Sequence, residues 1–102
     1  MENQLVVQFE ASTSDDFARL IHFEETLNER VGQSAIVDGH DFGSGELNIF
    51  VLTDDPMATF DLVQEVAEEL RPQLQMRVAF RKVEDEDYVI LWPPSLKEFQ
   101  IK

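Results

Sequence analysis

The sequence predicts an α+β fold: a two-layer, ferredoxin-like sandwich of order β-α-β-β-α-β-β, with both helices on one face of a mostly antiparallel sheet. Three observations predict it. Five segments carry strand chemistry, and two segments of helical period lie between them. Each strand–helix–strand passage calls for a right-handed crossover, which sends both helices to the same face. Finally, 102 residues with 43% apolar content suffice for one hydrophobic core, so residues 1–102 read as a single domain. The expected strand order across the sheet is fifth, fourth, first, third, second.

Leu5–Phe9 (LVVQF) is the first strand, with Leu5, Val7 and Phe9 on one face and Val6 and Gln8 on the other. STSDDF follows. Ser12, Thr13 or Ser14 can cap a helix whose first turn holds Asp15 and Asp16, acids that suit the positive end of the helix dipole. The helix should run to about Val31 and stop at Gly32. Phe17, Leu20, Leu27 and Val31 make its apolar stripe, with Ile21 and Phe23 at the borders. Glu24 falls inside that stripe, where a carboxylate must find a partner or reach the rim.

Ser34–Asp38 and Leu47–Thr53 read as the second and third strands. In TDDPMATF, Asp54 or Asp55 can cap the second helix, and Pro56 suits its first position because the missing N–H costs nothing there. Phe60, Val63, Val66, Ala67 and Leu70 form its buried face, Asp61, Glu65, Glu68 and Glu69 its outer one, and Pro72 ends it. Met76–Val83 alternates as the fourth strand. Glu84–Asp87 is an acidic turn, and Tyr88–Trp92 is a last strand stopped by Pro93 and Pro94. The tail, residues 94–102, keeps Phe99 and Ile101, two apolar side chains that suit docking back onto the domain.

The stretch Asp38–Thr53 (DGHDFGSGELNIFVLT) holds the densest chemistry. A phosphate-binding loop needs its glycines between a strand and a helix N-terminus, but here a strand follows them. Asp41-Phe42-Gly43 lacks every companion motif of a kinase. A hairpin closed by a three-residue Gly43-Ser44-Gly45 loop explains the glycines. With Phe42 opposite Glu46, the pairs become Asp41–Leu47, His40–Asn48 and Asp38–Phe50. Asp38, His40, Phe42, Glu46, Asn48 and Phe50 would then share the face away from the helices. A bulge at Asp38-Gly39 is the other reading of that dipeptide.

The outer face is the candidate binding surface. Beside Asp38, His40, Glu46, Asn48 and Phe50 it should hold Val6, Gln8, Leu52, Arg77, Ala79 and Arg81. A fully solvated face would not carry Phe50 and Leu52, so the tail, a second subunit in a homodimer, or a partner protein should cover it. Asp38, His40 and Glu46 also supply the raw material of a metal- or small-molecule-binding enzyme site, although one imidazole without a second histidine nearby is thin ligation. No Ser-His-Asp order, cysteine nucleophile or coherent acid pair emerges, so no catalytic residue, metal ligand or cofactor is assigned.

Charge restricts the partners. The chain has 21 acidic and 8 basic residues, net −13, which repels nucleic-acid phosphates and anionic membranes and attracts basic proteins. No apolar run approaches the ~18 residues of a membrane span. There is no cysteine and no secretory signal pattern at the N-terminus, so the expected location is the cytoplasm.

The segment DGHDFGSGELNIFVLTDDPMATF resembles a group of small uncharacterised bacterial proteins, which carry a D-G-x-x-x-G-S-G-x-x-N-I-F run followed by an Asp-Pro helix start. The resemblance implies a bacterial origin and carries no activity or catalytic residue. Taken together, the sequence describes an acidic, non-enzymatic protein-binding module, with an immunity- or antitoxin-like inhibitor of a basic toxin as its concrete form.

Overall fold

In the computed structural model, which describes residues 1–102, the elements are β1 (Asn3–Glu10), α1 (Ser14–Val31), β2 (Ala35–Gly43), β3 (Glu46–Thr53), α2 (Pro56–Leu70), β4 (Met76–Lys82) and β5 (Val89–Trp92). The sheet order is β2-β3-β1-β4-β5 and every pairing is antiparallel, as the ferredoxin-like expectation requires. β1 is central, paired with β3 along one edge and β4 along the other.

Local chemistry fixes the helix ends. Thr13 caps α1: its hydroxyl accepts from the Asp16 amide at 3.1 Å, while the Asp16 carboxylate accepts from the Ser12 and Thr13 amides. α1 ends at Gly32, whose φ of 53° an L-side chain adopts only with strain. Asp55 caps α2 by accepting from the Ala58 amide at 3.1 Å, with Pro56 in the first turn. Each cap contributes about 1 kcal/mol.

One face of the sheet and the two helices enclose the core. Leu5, Val7 and Phe9 of β1, Leu47, Ile49 and Val51 of β3 and Val78 of β4 meet Leu20, Phe23, Leu27 and Val31 of α1 and Phe60, Val63 and Val66 of α2. Phe9 and Phe23 pack edge to face with centroids 5.0 Å apart, a geometry worth about 1 kcal/mol beyond simple burial. Phe23 is fully buried rather than bordering, so the α1 stripe is centred toward Phe23 and Leu27, and Glu24 lies at its margin.

The β2–β3 hairpin departs from the three-residue loop. Ser44 (φ 54°) and Gly45 (φ 80°) form a two-residue turn with both central residues left-handed, the twist that suits a tight hairpin. Gly43 therefore opposes Glu46, and the following pairs are Phe42–Leu47, Asp41–Asn48 and His40–Ile49. A slip of one residue exchanges faces. His40 and Phe42 point toward α1, and Asp41 takes the outer position opposite Asn48. A bulge between Val37 and Gly39 leaves Asp38 unpaired and restores alternation, so Ala35 and Val37 again face the core.

Candidate functional site

The outer face is built on β1. Gln8 sits between Asn48 of β3 and Arg77 of β4 in the ladder. Gln8, Asn48 and Glu46 are 3%, 1% and 6% exposed, burial that a solvated sheet face would not show. The Gln8 amide nitrogen lies 2.8 Å from Glu46 Oε2, 3.0 Å from Asn48 Oδ1 and 2.8 Å from the Gln100 carbonyl, so its two hydrogens serve three acceptors. Asn48 Nδ2 also donates to Glu46 Oε2 at 2.9 Å. Arg77 donates to Gln8 Oε1 at 3.4 Å and to Glu10 Oε1 at 2.9 Å.

The segment that buries this face is the tail. Val6 and Ala79, both fully buried, lie on the side of the sheet away from the helices, the side that the tail reaches at Gln8. Phe99 packs on Tyr88 with centroids 4.8 Å apart, and the Gln100 carbonyl accepts from Gln8. The surface in which the sequence places a homodimer contact is thus occupied at its centre by the chain itself. Two polar concavities remain at its rim. One, of about 390 Å³, is lined by Glu10, Asp16, Glu46, Arg77 and Lys102 among others, and the other, of about 310 Å³, by Gln8, Leu96, Glu98 and Gln100.

The expected site residues divide accordingly. Glu46, Asn48 and Arg77 converge through Gln8. Phe50 lies half-buried on the outer face opposite Val6. Arg81 shares that face but is committed elsewhere: it donates to Gln4 Oε1 at 3.0 Å and to the carbonyls of Lys82, Val83 and Asp85, closing the acidic turn. Asp38 is exposed on the bulge. His40 is on the opposite face, where its Nδ1 lies 2.9 Å from Glu24 Oε1 and its ring packs against Phe17 at 5.7 Å. The trio Asp38, His40 and Glu46 is therefore split by the register, and no group of three or more His, Cys, Asp or Glu side chains converges elsewhere.

Two relationships escaped the sequence. Glu24 has a partner, His40, which the three-residue loop turns to the wrong face; Glu24 Oε2 remains buried without one. Gln8, the hub of the buried polar network, carried no signal beyond lying on the outer side of a central strand.

A third concavity, of about 340 Å³, lies where α2 ends, lined by Arg19, His22, Leu70, Arg71, Pro72 and Gln73. Its arginines serve the helix end: Arg19 donates to the Pro72 carbonyl and Arg71 to that of Glu68. No helix is long and apolar enough to cross a membrane.

No protein-family model matches the chain, and no curated protein matches it. Among solved structures it is similar to a de novo designed protein with ferredoxin fold, determined by solution NMR. The TM-score is 0.53 and the identity 16%, over 100% of this chain and 99% of the designed one. The likeness is one of fold, and a fold of this kind carries many unrelated functions.

Proposed function

We propose that this chain is a small acidic binding module for a basic protein partner, without a catalytic role of its own. Its concrete form is an immunity- or antitoxin-like inhibitor of a basic toxin in the cytoplasm of a bacterium. The observation that carries the reading is the solvent face of α2. Asp61, Glu65, Glu68 and Glu69 are all exposed there, the helix has no basic residue, and Glu69 alone is paired, with Arg30 of α1. Like charges three and four residues apart destabilise a helix. Asp61, Glu65 and Glu68 of this ridge make no ion pair within the fold, whereas a cationic partner would relieve their repulsion and be steered toward them. The tail supports the same reading, because it occupies the middle of the outer sheet face and leaves the helical layer as the broad charged surface.

The test is genetic and then biophysical. A neighbouring gene should encode a basic protein that arrests growth when this chain is deleted, and the purified pair should bind more weakly as salt rises. A deletion without phenotype, together with no salt-sensitive binding to any basic host protein, overturns the reading.

A further inference from the structure

Two helices cannot cover five strands. Strands lie about 4.8 Å apart and packed helices about 10 Å apart, so each helix covers about two strands. Here α1 packs over β2 and β3 and α2 over the centre of the sheet. β5, at the edge, receives no helix. Leu91, at the register shift of β5, packs against the core, but Val89, opposite Phe80, and Trp92, opposite Val78, do not join it. They stay 52% and 38% exposed on the side of the sheet where the inner residues of β1 and β3 are buried. Between Trp92 and α2 lies a concavity of about 170 Å³ lined by Gln64, Ala67, Glu68, Met76 and Trp92. Its floor is apolar and its helical wall is the flank of the acidic ridge.

We infer that this cleft is the seat of a third helix: a basic amphipathic helix of the partner docks beside α2, its apolar side on Trp92, Val89 and Met76 and its cations against Glu68 and Glu65. The inference rests on the basic-partner reading and says where that partner sits. The helical layer has a vacant place at this edge, and helix-in-groove binding fills such a place with apolar anchors at helical spacing. Charge selects the occupant. A second copy of this chain brings another −13 and is repelled, whereas lysines and arginines neutralise the unpaired carboxylates of α2. An aromatic side chain in a partly desolvated cleft is the kind of residue that dominates an interface energetically.

Trp92 is the single tryptophan, so it reports on its own site. The probe is a synthetic peptide of about 18 residues with leucine and lysine placed at helical period. Its control has the same composition with the two residues strictly alternating. At low salt the helical peptide should bind saturably at one site and shift Trp92 emission to the blue. Amide resonances should move at Gln64, Ala67, Glu68, Met76 and Trp92. Trp92→Ala, followed by calorimetry, and the charge reversal Glu65→Lys with Glu68→Lys should each weaken binding about tenfold or more. Glu29→Lys on exposed α1 should change it less than about threefold. Because Glu65 and Glu68 are solvated, their reversal leaves the fold intact and keeps the test valid should Trp92→Ala lower stability. Binding that survives both variants and maps to α1 or the outer sheet face overturns the docking site and leaves the basic-partner reading standing. Equal affinity for the alternating peptide overturns the helical occupant. No binding of either peptide overturns the site, and the neighbouring-gene experiment then decides the broader reading separately.

Discussion

Glu24 of α1 and His40 of β2 meet at 2.9 Å on the rim of the core, sixteen residues apart in sequence, with Glu24 the more buried of the two. Glu24 Oε1 faces the imidazole while Oε2 is buried without a partner. The pair therefore holds an acid that would otherwise be desolvated alone. His40→Ala should destabilise the fold by about 1–3 kcal/mol, because it leaves the whole carboxylate unsatisfied. Glu24→Leu with His40→Leu should recover most of that loss. Urea unfolding of Glu24→Leu, His40→Leu and the double measures the coupling; strict additivity would show that the contact contributes nothing.

The hairpin turn makes a second, local prediction. Gly45 has φ of 80° and open space where a Cβ would stand, so Gly45→Ala meets conformational strain rather than a clash. A loss of about 1 kcal/mol is expected. Ser44 at φ 54° sits where asparagine is favoured. Ser44→Asn should stabilise by a few tenths of a kcal/mol. Opposite signs in thermal melts of the two variants check the turn type directly.

Removing residues 94–102 should uncover Val6, Ala79 and the Gln8 network. The expected loss is roughly 1–3 kcal/mol, since half-buried Leu96, Phe99 and Ile101 leave while the tail regains its chain entropy. Dye binding should rise, and amide exchange should quicken in β1 and β4 but not in α1. Gln8→Leu in the full chain should cost about as much as a lost buried hydrogen-bond partner, about 1–3 kcal/mol, because Asn48 Oδ1 and the Gln100 carbonyl then go unpaired. Unchanged exchange in β1 after truncation would show that the tail is not what protects it.

Asp16 sets an acid limb of stability. The Ser12 amide lowers its pKa below the usual 3.8; partial desolvation opposes this, while the Thr13 amide, the Thr13 hydroxyl and Arg19 also lower it. A carboxylate depressed in the folded state stabilises fully above its unfolded pKa, and that stability is lost as pH falls through the folded value. Asp16→Asn should therefore be less stable near neutrality and show a flatter decline of stability below pH 3.8. Parallel acid curves for the variant and the parent would remove Asp16 from that limb.

Much of the fold was legible because the long elements obey one period each. β1, β3 and β4 alternate without interruption, α2 opens with Asp55-Pro56, and the crossovers leave few arrangements open. The candidate site was less legible because β2 obeys two registers. A glycine on each side of Ser44 permits either a two- or a three-residue loop, and the choice moves His40 across the sheet. Composition could not decide it. Phe42 could have, since a phenylalanine facing Phe17 at 5.0 Å completes the rim of the core, whereas on the outer face it would sit in water. The inner position of Trp92 was not legible either, because it depends on a register shift of β5 opposite Val78 and Ala79.

The bulge at Asp38 has a consequence for chain length. Upstream, odd-numbered residues of β2 face the core; downstream, even-numbered ones do. Asp38 is the residue that changes the parity, and it takes part in no ladder pair. A chain lacking it would join Val37 directly to Gly39 and keep every other pairing as it stands. Most single deletions within a strand scramble everything on one side of the cut; this one should be folded and silent in the core. What it would change is the rim of the sheet, where a kinked β2 becomes a straight strand of eight residues. Asp38 thus sets the bend of β2 without entering its ladder.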